Sequence, residues 1–189
     1  MPRKLTDETT IACEPEVLWR MTQEPFQHVR WDLRFTSIEG LSDDYNWRPR
    51  RFRYVTRIGM GMEVAGWGES AARREGRSSA LRFGSDDWKS LILEGDGCWI
   101  YSEPAPGRSR LFTVYDYRTR HGLAGRMADL LFRPLMVWAT RWSFDRLRLW
   151  IETGIVPETL FRLWLTKVLL RVALSGIWIL EGILPKILA

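Results

Sequence analysis

The sequence predicts an α+β protein in which an antiparallel sheet lies around one long helix, with a separate hydrophobic helical segment behind it. Three observations lead there. Between Phe35 and about Arg120, short strand-like runs follow one another with tight turns between them, the pattern of a meander. From about Ala124 to Thr153 the apolar period lengthens to three and four residues, as on one face of a helix. Beyond Pro157 the chain is rich in Leu, Ile, Val and Trp. The expected division is residues 1–155 and 156–189.

Leu5 to Cys13 is Thr-rich and reads as an edge strand. At Glu14-Pro15-Glu16 the period changes. A proline in the first turn with acidic neighbours, followed by Val17, Leu18 and Met21, predicts a short helix. Pro25 ends or restarts it. Arg51 to Ile58 alternates, with Phe52, Tyr54, Thr56 and Ile58 on one side and arginines on the other. Gly59-Met60-Gly61 is a turn, and Met62–Glu69 returns. Further strands are expected at Ser79–Gly84, Lys89–Leu93, Cys98–Ser102 and Arg110–Arg118. Glu94-Gly95-Asp96-Gly97 and Pro104-Ala105-Pro106-Gly107 read as hairpin turns. Pro134 should kink or restart the long helix, and Gly154 and Pro157 should end it.

A helix of roughly 28 residues, about 40 Å long, could lie across a whole curved sheet. If it does not pack flush, an apolar cavity remains. The candidate walls are Phe52, Tyr54, Trp67, Leu81, Phe83, Trp99, Tyr115 and Tyr117 from the sheet, and Leu131, Leu135, Trp138 and Trp142 from the helix. The alternative is that these residues fill a solid core. Tyr54, Tyr115 or His121 would supply polar groups to orient a ligand.

Composition narrows the classes. In 189 residues, 46% hydrophobic and 27% charged excludes a disordered, collagen-like or polytopic membrane protein. Cys13 and Cys98 cannot form a disulfide scaffold and read as reduced thiols. Eleven tryptophans ask for large aromatic surfaces or a membrane interface. Residues 1–103 carry 15 Lys+Arg and 17 Asp+Glu, and residues 104–189 carry 13 and 6, so the formal charge of +5 lies in the second part. Such a one-sided excess favours an anionic partner or is simply an Arg-rich surface.

Thr10-Ile-Ala-Cys-Glu-Pro-Glu-Val-Leu-Trp-Arg-Met-Thr22, with the breaks at Pro25 and Trp31-Asp32, resembles the opening of the SRPBCC superfamily (START-like, polyketide cyclase/dehydrase). Gly122-Leu-Ala-Gly-Arg126 at the head of the long helix fits the same pattern. The resemblance spans about residues 3–153 and specifies a helix-grip fold rather than a chemistry. It implies about seven antiparallel strands gripping a long helix around a cavity for lipids, quinones or polyketides, in enzymes and in carriers. Leu170 to Leu188, through Arg171, Trp178, Gly182, Pro185 and Lys186, resembles the first transmembrane helix of a DoxX-like domain. That family implies a four-helix membrane domain, of which this chain would hold one helix.

The tail's longest uncharged run, Val172–Leu180, is well below the roughly 20 residues needed to cross a bilayer. A span from Leu169 to Leu188 would bury Glu181 while Arg171 and Lys186 snorkel. Arg162, Lys167 and Arg171 before it would leave the preceding domain on the cytoplasmic side. The rivals are an amphipathic helix lying on the membrane, with Leu160, Phe161, Trp164 and Leu165 dipping in, and a helix docked on protein.

For catalysis, His28 and His121 lack ligand spacing, the cysteines form no CxxC pair, and no phosphate-binding or nucleophile-elbow motif is present. Asp32, Glu69, Asp116 and His121 are candidate acids or bases, each also readable as a structural polar group. Arg118, Arg120, Arg126, Arg133, Arg141, Arg146 and Arg148 form a basic third without a nucleic-acid motif. The expectation is a binder or carrier of a hydrophobic small molecule at the cytoplasmic membrane surface, held there through residues 158–189, with no cofactor, metal or nucleic-acid partner. A cyclase- or hydratase-like enzyme on the same scaffold and a structural membrane module are the alternatives.

Overall fold

The computed structural model describes residues 4–40, 51–59 and 61–188, with side chains described as far as Gly182. Met1 to Arg3 and Met60 of the predicted turn lie outside the described residues, as do the side chains of Pro185 and Lys186. The chain divides into two compact units, up to Gly154 and from Ile155 onward.

The first unit opens with β1 (Leu5–Ile11), α1 (Pro15–Gln23) and α2 (Pro25–Trp31). Both helices begin on a proline, whose missing N–H costs nothing in a first turn. Glu24 closes α1, donating its N–H to the Arg20 carbonyl at 3.1 Å, and its own carbonyl opens α2 by accepting from His28 N–H at 2.8 Å. Six strands follow: β2 (Ser37–Gly40), β3 (Arg51–Gly59), β4 (Met62–Arg74), β5 (Ser78–Gly84), β6 (Ile92–Ala105) and β7 (Arg108–Thr119). They form one antiparallel sheet in the order β1-β7-β6-β5-β4-β3-β2, so β1 is an edge strand, as its sequence suggested. The α3 helix (Gly122–Thr153) then packs on β1, β7 and α2.

Three elements differ from their sequence reading, the first being the strand expected at Lys89–Leu93: Lys89–Leu91 form a turn and bend, and β6 begins at Ile92. Glu94-Gly95-Asp96-Gly97 is no turn: it lies inside β6, a single strand of 14 residues. The stretch alternates strictly. Gly95 and Gly97 pair opposite Tyr117 and Tyr115 on the inner face, while Glu94 and Asp96 point outward to Arg118 and Arg82. Glycine here marks a close approach within a strand rather than a reversal. Pro134 also fails to interrupt α3, which runs through it for 32 residues. Its ring sits on the exposed side of the helix, where water can satisfy the carbonyl left without an N–H partner.

The core has two parts. Ile11, Leu18, Trp19, Trp31, Trp99, Tyr101, Leu111, Phe144 and Leu147 cluster where α1, α2 and the second half of α3 meet β6 and β7. Each such side chain contributes about 1.5–3 kcal/mol when fully buried. Toward the start of α3, Leu5, Tyr115 and Tyr117 pack with Phe83, Ile92, Phe132, Met136 and Val137. On the outer face, cross-strand pairs such as Arg57–Glu63 (2.6 Å) and Arg51–Glu69 (3.4 Å) match arginines to acids, each worth little in water.

The second unit is one helix, α4 (Pro157–Leu188), in which Pro157–Gly182 is long and apolar enough to cross a membrane, with a mean hydropathy of 1.7 over its most apolar 18 residues.

Candidate functional site

Strand register fixes which side chains share the inner face of the sheet. Tyr115 faces Gly97 and Leu81 in turn, Tyr117 faces Gly95 and Phe83, and Phe83 faces Gly68, which faces Phe52. Tyr54 lies opposite Gly66, and Trp99 opposite Ser79 and Thr113. Seven of the eight predicted sheet residues, Phe52, Tyr54, Leu81, Phe83, Trp99, Tyr115 and Tyr117, therefore share one surface. Trp67 does not. It is out of phase with Gly66 and Gly68 and lies on the opposite face, its ring over Gly84.

The inner glycines shape that surface. A Cβ on Gly66 would fall within the Tyr54 ring, and one on Gly68 within the Phe52 ring. The rings lie flat over the bare backbone and form a shallow aromatic floor across β3, β4 and β5. Because α3 packs along β1 and β7 rather than over these strands, Phe52, Tyr54, Leu81 and Phe83 stay only half-buried, while Trp99, Tyr115 and Tyr117 are buried.

The helix residues expected to face this floor do not. Leu131 is 82% exposed, Leu135 54% and Trp138 47%, and Trp142 is half-buried, stacked on Arg146 at 3.6 Å. The inward stripe is instead Phe132, Met136, Thr140, Ser143 and Leu147, set about a third of a helical turn away. The sequence reading followed the larger apolar residues, whereas two of the inward positions carry small hydroxyls.

Those hydroxyls anchor a polar network at one end of the floor. Thr140 donates to the Met136 carbonyl and accepts from the Tyr115 hydroxyl, each at 2.9 Å. Ser143 accepts the Leu33 N–H at 3.0 Å. Beside it, fully buried Asp32 pairs with Arg34 through Nε (2.8 Å) and a terminal nitrogen (2.6 Å), and with His28 Nε2 at 2.9 Å. Burial alone would raise the Asp32 carboxyl, but the charge and hydrogen bonds of Arg34, with the His28 bond, outweigh it and hold it well below the usual carboxylate range. The Arg34 guanidinium lies 5.8 Å from the Tyr115 ring and 5.7 Å from Phe35, whose ring meets Tyr54 edge-on at 5.3 Å. Arg34 thus reaches from the β2 side of the sheet to β7 and borders that end of the floor. Burial pushes the Tyr54 phenol up to about 12, so it stays a neutral donor, bonded to the Gly84 carbonyl at 3.3 Å.

At the other end Tyr117 donates to Asp129 at 2.6 Å, and Arg133 holds Asp129 at 3.3 Å. Burial first, then the Asp129 carboxylate, push the Tyr117 phenol above its ordinary range. Tyr117→Phe should therefore cost about 1–2 kcal/mol through the lost hydrogen bond to a carboxylate that Arg133 alone then holds, a fall of about 2–8 °C in Tm by calorimetry.

The remaining candidates lie elsewhere. His121 is exposed at the head of α3, in the left-handed region at φ 66°, with a ring nitrogen 3.1 Å from the Trp88 carbonyl. Glu69 pairs outward with Arg51, and Asp116 accepts the Tyr117 N–H at 2.8 Å. Arg118, Arg133, Arg141 and Arg148 sit on Glu94, Asp129, Asp7 and Asp145, and Arg120 on the Ser85 carbonyl, so most of the basic third is engaged within the fold. Among the described residues, no three His, Cys, Asp or Glu side chains could hold a metal ion. A separate cavity of about 250 Å³ lies near Leu18, Arg77, Tyr101 and Ser109. The sequence reading missed Arg34, Phe35 and the inner glycines. The i, i+2 spacing of Gly66/Gly68 and Gly95/Gly97 could have shown the last.

No family model matches the chain. The uncharacterized membrane protein YndG of Bacillus subtilis (strain 168) is 41% identical over 180 residues, which cover 93% of this chain and 67% of YndG. Among solved structures, the ZhuI aromatase/cyclase from Streptomyces sp. R1128 is similar with a TM-score of 0.61 at 12% identity, covering 82% of this chain and 98% of that one. A START superfamily protein from Mycobacterium smegmatis has a TM-score of 0.59 at 12% identity, covering 76% and 95%. Such likenesses establish the helix-grip fold. The DoxX-like resemblance of the tail has no support among them.

Proposed function

The chain belongs to the family of the Bacillus subtilis membrane protein YndG, and from that premise we propose that its first unit binds or carries one hydrophobic small molecule at the cytoplasmic face of a membrane. The observation that carries this reading is the floor of Phe52, Tyr54, Leu81 and Phe83, aromatic and aliphatic, facing the helix side yet only half-buried. An apolar ligand lying on it would leave water at roughly 25 cal/mol per Å² of covered surface. Arg34, Tyr115 and Tyr54 edge the floor with their protons already given to Asp32, Thr140 and the Gly84 carbonyl, so the ligand is chiefly apolar: a lipid, a quinone or a polyketide-like molecule. The named relative and the apolar stretch Pro157–Gly182 support membrane attachment. Arg162 and Lys167, toward the first end of that stretch, support a cytoplasmic first unit.

Full-length protein purified in lipid nanodiscs is expected to carry a small molecule, identifiable by extraction and mass spectrometry against empty nanodiscs. Leu81→Trp, which fills the centre of the floor, should lower its occupancy at least about tenfold, since an overfilled apolar site loses both contact and room. Equal extracts from protein-loaded and empty nanodiscs, or equal occupancy in the variant, would overturn the reading.

A further inference from the structure

The apolar stripe of α3 that turns away from the floor is itself a surface with a use. Leu123, Met127, Leu130, Leu131, Leu135 and Trp138 follow at helical spacing, each between 47% and 82% exposed. They form a ridge of about 22 Å at 1.5 Å per residue. Its charges are one-signed. Within Gly122–Trp138 the single acid, Asp129, is turned inward onto Tyr117 and Arg133, whereas Arg126 is exposed beside the ridge; beyond it Arg141 pairs with Asp7 and Asp145 with Arg148. At the head of the helix, Trp88 is 74% exposed next to Lys89.

We propose that this ridge is a membrane-docking surface on which the first unit lies, α3 parallel to an anionic bilayer. The leucines and Met127 enter the boundary between headgroups and acyl chains, Trp88 and Trp138 sit at headgroup level, and Arg126 meets lipid phosphates. A second copy of the chain fits less well. Within Gly122–Trp138 the one acid is turned inward, so ridge-to-ridge pairing would leave Arg126 with no carboxylate from the partner's ridge, whereas anionic lipid supplies the charge. The proposal stands apart from the ligand reading, because the ridge and the floor lie on opposite sides of the unit's helix layer.

The test uses the full chain with Cys13→Ser and Cys98→Ser, carrying one nitroxide at Leu131→Cys or, as control, at exposed Arg53→Cys on the outer face of β3. Both are reconstituted in vesicles of phosphatidylcholine and phosphatidylglycerol at 3:1, where the apolar helix of the second unit keeps either protein attached. Power saturation should show the label at 131 several-fold more accessible to oxygen than to a water-soluble nickel chelate, with the reverse at 53. Equal nickel access at the two positions would overturn the proposal. So would dipolar broadening between labels at 131 on two copies, which would show that the ridge is a dimer interface.

Discussion

Replacing Asp32 by Asn should be the most damaging single change in the first unit. It leaves the Arg34 guanidinium, whose side chain is 14% exposed, without its countercharge. Breaking one side of such a buried pair costs about 3–5 kcal/mol, or roughly 6–20 °C in Tm for a unit of this size. Arg34→Gln should cost less, because the remaining carboxylate can take up a proton. The double variant should lose less than the two singles together. The pair also predicts a pH dependence. Because the folded carboxyl titrates below its unfolded value of about 3.9, its contribution is complete above about pH 4 and is lost as pH falls toward the folded value. Urea midpoints measured from pH 7 to pH 2.5 should fall below pH 4 in the parent and fall less in Asp32→Asn. Parallel curves for the two would contradict this account of Asp32.

The second large effect separates two glycines that sit two residues apart. A Cβ on Gly95 would fall well inside van der Waals contact with the Asp116 backbone oxygen and 2.7 Å from Phe83 Cζ. The backbone atom cannot swing aside, so Gly95→Ala must part β6 from β7 and should cost about 2–4 kcal/mol. At Gly97 the nearest atom is Tyr115 Cβ at 3.4 Å, an ordinary contact. Gly97→Ala should therefore be neutral, or stabilising by a few tenths of a kcal/mol through the restricted unfolded chain. Urea denaturation of both variants decides it. Had the segment been the turn its composition suggested, the two substitutions would behave alike.

That segment shows where sequence reasoning runs out. Alternation over Arg51–Ile58 and Arg110–Arg118 was legible because apolar and polar residues mark the two faces of the strand directly. In Glu94–Gly97 the inner positions have no side chain, so the same alternation reads as a turn. The floor itself was largely legible: seven of its eight named sheet residues share the inner face, and only Trp67, in a strand whose inner side is Val64, Gly66 and Gly68, was assigned to the wrong side. On α3 the error ran the other way. Burial did not follow size, because Thr140 and Ser143 face inward to bind Tyr115 and the Leu33 N–H, while Leu131, Leu135 and Trp138 face out. An outward stripe of large apolar residues has the same period as an inward one. Arg34 was not legible at all, since its role depends on the segment between α2 and β2 bringing its side chain to Tyr115 of β7.

The most direct test of the aromatic floor is to photolyse full-length protein in lipid nanodiscs with a diazirine-bearing palmitic acid and to map the modified residues by mass spectrometry. The account predicts adducts on β3 and β5, at Phe52, Tyr54, Leu81 or Phe83, that unlabelled palmitic acid competes away and Leu81→Trp removes. Adducts confined to α4 and the outer face of α3, unchanged by competitor, would contradict it.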